Sequence, residues 1–126
     1  MKTAIHTSNA PVPMGPFSQA IIKGNMIFVS AQLAGDITTG QLVMQNIQAE
    51  TNQVMKNLEA ILKEAGAGFC DVVKSSIFLK NMNDFTVMNE VYSSYFEKPY
   101  PARETIQVAD LPAHVNIEIS MIAIKP

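Results

Sequence analysis

The chain has 126 residues, a length that suits one domain. With 48% apolar and 16% charged residues and a mean hydropathy of +0.13, intrinsic disorder is excluded on composition. Nine Lys/Arg against eleven Asp/Glu give a net charge of −2, so no basic field exists for nucleic acid, and the single cysteine, Cys70, excludes an intramolecular disulfide. No apolar run approaches the roughly 20 residues of a membrane span, and Met1–Pro16 has no apolar signal-peptide segment, so a cytoplasmic domain is the expectation.

In chain order, a short strand is expected near Thr3–His6. Pro11, Pro13, Gly15 and Pro16 then make Ala10–Pro16 a stiff extended loop. Ala20–Lys23 and Met26–Ser30 are apolar runs joined by Gly24-Asn25, the pattern of a hairpin. Gly35–Gly40 reads as a turn. Ile47, Thr51, Val54, Leu58, Ile61, Leu62 and Ala65 recur at spacings of three and four, which predicts a helix over about Asn46–Ala65. Asn46 is its expected N-cap, and Gly66-Ala67-Gly68 supplies the stop. Val72–Lys80 reads as a strand. A second helix is expected over Asp84–Phe96, with Phe85, Met88, Tyr92, Tyr95 and Phe96 on one face. Beyond Pro99 and Pro101, Ala102–Val108 and Val115–Ile124 read as two more strands. This order predicts an α+β domain, a mixed sheet of five to six strands with both helices on one face.

Strand parity adds a constraint. Met26 and Phe28 oppose Ile27 and Val29, Val72 and Phe78 oppose Val73, Ile77 and Leu79, and Ile119, Met121 and Ala123 oppose Ile122 and Ile124. A strand apolar on both faces needs cover on both. Two helices cover one face of such a sheet, so the other is expected to meet another subunit.

Few residues suggest chemistry by pattern. His6 and His114 are far apart, no Cys/His spacing suggests a metal, and the six glycines form no phosphate loop. Cys70 has no basic neighbour in sequence and reads as a buried small apolar residue. In Pro101–Gln107, alternation puts Arg103, Thr105 and Gln107 on one face, and arginine's planar fork matches a carboxylate. Glu118 and Ser120 lie on the parity opposite Ile117 and Ile119. If the last two strands pair, Arg103 and Glu118 lie close on one face, either as a site or as an edge ion pair worth at most about 1 kcal/mol.

Gly15-Pro16-Phe17-Ser18-Gln19-Ala20, Phe28-Val29-Ser30-Ala31-Gln32, Asn83-Asp84-Phe85, Pro101-Ala102-Arg103, Val108-Ala109-Asp110-Leu111-Pro112 and Ile117-Glu118-Ile119 occur in that order. Together they resemble the RidA (YjgF/Rid) family of reactive-intermediate imine deaminases, also known as endoribonuclease L-PSP or translation initiation inhibitors. The resemblance implies a chorismate-mutase-like α+β fold, a homotrimer with ligand clefts between subunits, and hydrolysis of 2-imino acids to 2-oxo acids and ammonia without metal or organic cofactor. It implies Arg103 as the clamp for the substrate carboxylate and Glu118 as the residue that polarises water and shuttles a proton. Phe17, Ser30, Ala31, Asn89 and Thr105 match cleft positions, Ala31 and Thr105 through their backbone N–H groups. Phe17 stands where many members have tyrosine, Ala31 for glycine, Thr105 for cysteine, and Glu104 where a small residue is usual.

Two other readings accompany this one. A sensor that binds a small carboxylate such as a 2-oxo acid needs Arg103 but gains nothing from Glu118. An endoribonuclease needs a basic surface, which a charge of −2 without tryptophan or a basic stripe does not provide.

Overall fold

The computed structural model describes residues 1–126. Six strands form one mixed sheet: β1 (Thr3–Ile5), β2 (Ala20–Lys23), β3 (Met26–Gln32), β4 (Val72–Leu79), β5 (Ala102–Gln107) and β6 (Ile117–Ile124). Their spatial order is β1-β2-β3-β6-β4-β5. All neighbours are antiparallel except β4 and β5, which run parallel. The α+β class and the six strands agree with the sequence pattern.

The local reasons for these elements are visible in the chain. β2 and β3 are joined by the two-residue loop Gly24-Asn25, with Gly24 at φ +61, where a side chain would be strained. The long helix α1 (Ile47–Glu64) starts on Asn46, whose side-chain oxygen accepts the Ala49 N–H at 2.8 Å. It ends in a Schellman turn: Gly66 at φ +84 donates to the Lys63 carbonyl and Ala67 to the Leu62 carbonyl. The second helix, α2 (Phe85–Ser93), is shorter than the sequence pattern suggests. Ser93 and Ser94 turn their hydroxyls back onto the carbonyls of Glu90 and Val91, and tighter turns carry Tyr95 and Phe96 onto Phe69.

Both helices lie on one face of the sheet. Ile27, Val29, Ile77, Leu79, Ile117, Ile119, Met121 and Ala123 are buried there against Val54, Met55, Leu58, Ile61, Leu62 and Met88. On the other face Met26 is 38%, Phe28 42% and Ile106 46% exposed, and Phe78, Ile122 and Ile124 are only half-buried. No helix of the chain is long and apolar enough to cross a membrane.

Three expectations change. A register shift between Val72 and Lys74 puts Val72 in the core and leaves Val73 exposed, so Val73 does not share the face of Ile77 and Leu79. Cys70 is exposed rather than buried, because the single 3-10 turn Phe69–Asp71 turns Phe69 inward in its place. Most consequential, β5 and β6 are not neighbours, since β4 lies between them.

At the β4–β5 edge of the open face, Glu104 lies 3.0 Å from the Lys74 ammonium and accepts from the Ser76 hydroxyl. The Ser76 hydrogen bond, with the Lys74 ammonium beside it, holds the Glu104 carboxyl below its ordinary value. The native state therefore takes up this proton less readily than the unfolded chain. The stability it contributes is present at neutral pH and disappears as the pH falls through the depressed value. Glu104→Gln is expected to lower the urea midpoint at neutral pH and to match the wild type in strong acid. A gap that persists in acid contradicts this role.

Candidate functional site

The residues singled out by sequence divide into two groups on opposite faces of the sheet. Arg103 pairs with Ser75 of β4, and Ser75 pairs with Met121, so Arg103 lies on the face that the helices cover. Glu118 pairs with Phe78 and lies on the open face. One chain therefore does not bring Arg103 and Glu118 together. The expected adjacency fails on strand order.

The first group surrounds Glu118. Between Val29 and Gln32 the pairing of β3 with β6 slips, so Ser30 and Ala31 together oppose the single residue Ser120. Such a bulge bends the strand and turns these two residues toward the chain before β2. The Ser30 N–H donates to the Gln19 carbonyl at 2.9 Å and its hydroxyl to the Ser18 carbonyl at 2.6 Å. Phe17, Ser30, Ala31 and Glu118 line a cavity of about 550 Å³, walled by the Pro11–Met14 loop and by Pro112. Phe17 is 54% exposed at this wall. The Glu118 carboxylate has neither an ion-pair nor a hydrogen-bond partner, and burial pushes its pKa above the ordinary glutamate value.

The loop wall is fixed from beneath by a buried side chain. Gln19 is 1% exposed. Its Oε1 accepts the Thr7 N–H at 2.7 Å, and its Nε2 donates to the carbonyls of Thr7 at 3.1 Å and Pro11 at 3.0 Å. On the far side of the cavity, Asn57 donates from Nδ2 to the Leu33 and Gly35 carbonyls at 3.0 and 2.9 Å. Sequence reasoning did not select these residues. The available signal was polarity on an apolar helix stripe, because Glu50 and Asn57 share the buried face of α1 with Val54, Leu58 and Ile61.

The second group surrounds Arg103. Its guanidinium carbon sits 5.1 Å from the Tyr92 ring centroid and 5.7 Å from that of Phe85. Tyr92 is held in turn by a 2.8 Å hydrogen bond from its hydroxyl to Ser75. Desolvation raises the Tyr92 pKa, against the Ser75 hydrogen bond and the Arg103 charge, so the ring stays a neutral platform. No carboxylate pairs with Arg103. Asn89 and Arg103 line a second cavity of about 530 Å³ with Phe85, Tyr92 and Tyr100. Thr105, two residues along β5, shares this face. The Asn89 Oδ1 and Thr105 Oγ1 atoms are buried without hydrogen-bond partners.

No cluster of three or more His, Cys, Asp or Glu side chains is present. His6 is exposed, and His114 pairs with Asp110 at 2.8 Å on the surface. The chemistry available is therefore an unpaired guanidinium on aromatic rings in one cavity and an unpaired carboxylate in the other, more apolar one.

The sequence pattern of the Endoribonuclease L-PSP family matches residues 7–125. A RutC family protein of Pyrococcus horikoshii is 49% identical over 125 residues, covering 99% of each chain. The human 2-iminobutanoate/2-iminopropanoate deaminase is 42% identical over 125 residues, 99% of this chain and 91% of its own. Among solved structures, RidA from an Antarctic Psychrobacter is 39% identical with a TM-score of 0.93, covering 97% of this chain and 98% of that one. E. coli TdcF with bound serine is 35% identical with a TM-score of 0.93, covering 98% and 99%.

Truncating the brace beneath the cavity wall tests its structural part. Gln19→Met removes the partner of the Thr7 N–H and of the Thr7, Ala10 and Pro11 carbonyls, and is expected to cost about 1–3 kcal/mol in urea unfolding. It is also expected to expose residues 7–16 to limited proteolysis. An unchanged digestion pattern contradicts the brace.

Proposed function

The chain belongs to the Endoribonuclease L-PSP family, and from that footing we propose that it hydrolyses small 2-imino acids, with their enamine tautomers, to 2-oxo acids and ammonia. Relatives at 40–42% identity carry the name 2-iminobutanoate/2-iminopropanoate deaminase, and TdcF holds serine, which presents a carboxylate beside an amino group. The observation that carries the reading is the pair of unpaired, oppositely charged groups, Arg103 and Glu118, each in its own cavity.

A complete cleft then needs two chains. In the proposed assembly, a homotrimer, the open apolar face around Phe28, Ile106 and Ile122 is covered by neighbouring copies. The half with Arg103, Asn89 and Thr105 of one copy meets the half with Phe17, Ser30, Ala31 and Glu118 of the next. The Arg103 fork clamps the substrate carboxylate, and the backbone N–H groups of Ala31 and Thr105 seat it further. Phe17 supplies an apolar wall. Ser30 and Asn89 orient the polar end.

The reaction asks little beyond positioning, because an imine carbon is already electrophilic. The substrate reacts as its protonated imine: Glu118 takes a proton from a water as the water oxygen bonds to C2, and the C=N π pair moves onto nitrogen, giving the neutral 2-amino-2-hydroxy acid. Glu118 returns that proton to the nitrogen. The C2–N bond then breaks, ammonia leaves with the bonding pair, and the C2 hydroxyl passes its proton to the Glu118 carboxylate as the 2-oxo acid forms. Burial, which raises the Glu118 pKa, brings its proton affinity closer to what shuttling near neutral pH requires.

Generating 2-iminobutyrate from threonine with a dehydratase, and trapping residual imine with semicarbazide, tests the reading. Wild type is expected to suppress trapping. Arg103→Ala and Glu118→Gln are each expected to lose about 100-fold or more of that effect. If wild type leaves trapping unchanged while 2-oxobutyrate protects it against heat, the protein is a carboxylate binder and not a deaminase.

A further inference from the structure

The first turn of α1 carries a carboxylate that the proposed chemistry does not use. Glu50 is 0% exposed, and no lysine, arginine or histidine pairs with it. A buried carboxylate costs several kcal/mol unless strong hydrogen bonds compensate it. Here both oxygens accept from one residue 66 positions away. Oε2 takes the Asn116 N–H at 2.8 Å, and Oε1 takes the Asn116 side-chain amide at 2.8 Å. From the other side, the Asn116 carbonyl accepts the Lys80 N–H at 3.0 Å. Asn116 is thus held by the helix layer and by the end of β4 together.

Its place in the chain gives this grip a consequence. Asn116 immediately precedes β6, and Glu118 is the second residue of that strand. The chain arrives there through the irregular turn Pro112–His114, with Ala113 and His114 at φ 55 and 56, a region that residues with a side chain seldom occupy. In a strand of period two, a slip of one residue turns Glu118 into the helix layer and Ile117 out of it. Asn116 is one of the two residues between that turn and the strand, so a bond to it bears on where the strand begins.

We propose that Glu50 is a positioning residue for the deaminase site: by clamping Asn116 it sets where β6 begins and so directs the Glu118 carboxylate into the cavity beside Ser30 and Ala31. The kinetic consequence rests on the deaminase reading. The structural consequence does not.

Three variants and two readouts test this. Glu50→Ala removes the clamp. Glu50→Gln can rebuild it, its new carboxamide oxygen taking the Asn116 N–H while the Asn116 side-chain amide turns over to accept from the new NH2 group. Ile61→Ala, in the core at the other end of α1, serves as the control for lost stability alone. In the imine assay, Glu50→Ala is expected to lower kcat about ten-fold or more with KM within two-fold, because the Arg103 half is untouched. Glu50→Gln is expected to recover most of kcat, and Ile61→Ala to keep it despite a lower Tm. In NMR, the Glu118 carboxyl of Glu50→Ala is expected to titrate at a different pH from wild type, and the Ile117–Ser120 amides to exchange faster. Wild-type kcat in Glu50→Ala, an equal loss in Ile61→Ala, or no recovery in Glu50→Gln overturns the clamp while leaving the deaminase reading intact. If wild type has no deaminase activity, that reading fails and the NMR readout decides the clamp: unchanged titration and exchange in Glu50→Ala overturn it.

Discussion

The position of β4 between β5 and β6 governs the whole molecule. With β4 as a spacer, and with side chains alternating along each strand, Arg103 emerges under α2 and Glu118 on the bare face. A sheet is too thick for two such groups to act on one small molecule from opposite sides. The same order leaves Phe28, Ile106 and Ile122 without helices above them. In the proposed assembly, fold, surface and site become one problem: the apolar face takes its cover, and each half-site its other half, from a neighbouring copy of the chain.

Each half is built so that its charge stays available. Arg103 is steadied by aromatic faces rather than by a carboxylate, so its position is set without occupying its donors. Glu118 is steadied by the strand itself, with no partner to hold its proton affinity down. The surrounding precision comes from buried polar side chains that bind main chain: Gln19 under the Pro11–Met14 wall, Asn57 under the chain after β3, and Glu50 at the entry to β6. These bonds are strong because the alternative is an unsatisfied group in a dry interior.

Elements defined by local rules were legible in the sequence. The Gly24-Asn25 hairpin, the Asn46 cap and glycine stop of α1, and the alternation in β3, β5 and β6 all follow from neighbours in the chain. The uncovered apolar face followed from the same alternation. What was not legible depends on contacts distant in sequence. The pairing of β4 with both β5 and β6 is decided by the crossover through α2 and by shared burial, not by any residue of β5 or β6 alone. The exposure of Cys70 depends on Phe69 finding Tyr95 and Phe96, some 26 residues on. The site residues were named through resemblance, and spacing alone would have left Arg103 and Glu118 as a surface ion pair.

The central claim is that one active cleft takes Arg103 from one chain and Glu118 from another. It is tested most directly by mixing two inactive variants, Arg103→Ala and Glu118→Gln, after unfolding and refolding them together. Random reassembly of a cyclic trimer gives about a quarter of the clefts an intact Arg103 and an intact Glu118, so about a quarter of wild-type imine hydrolysis is expected to return. A mixture no more active than either variant alone contradicts a shared cleft.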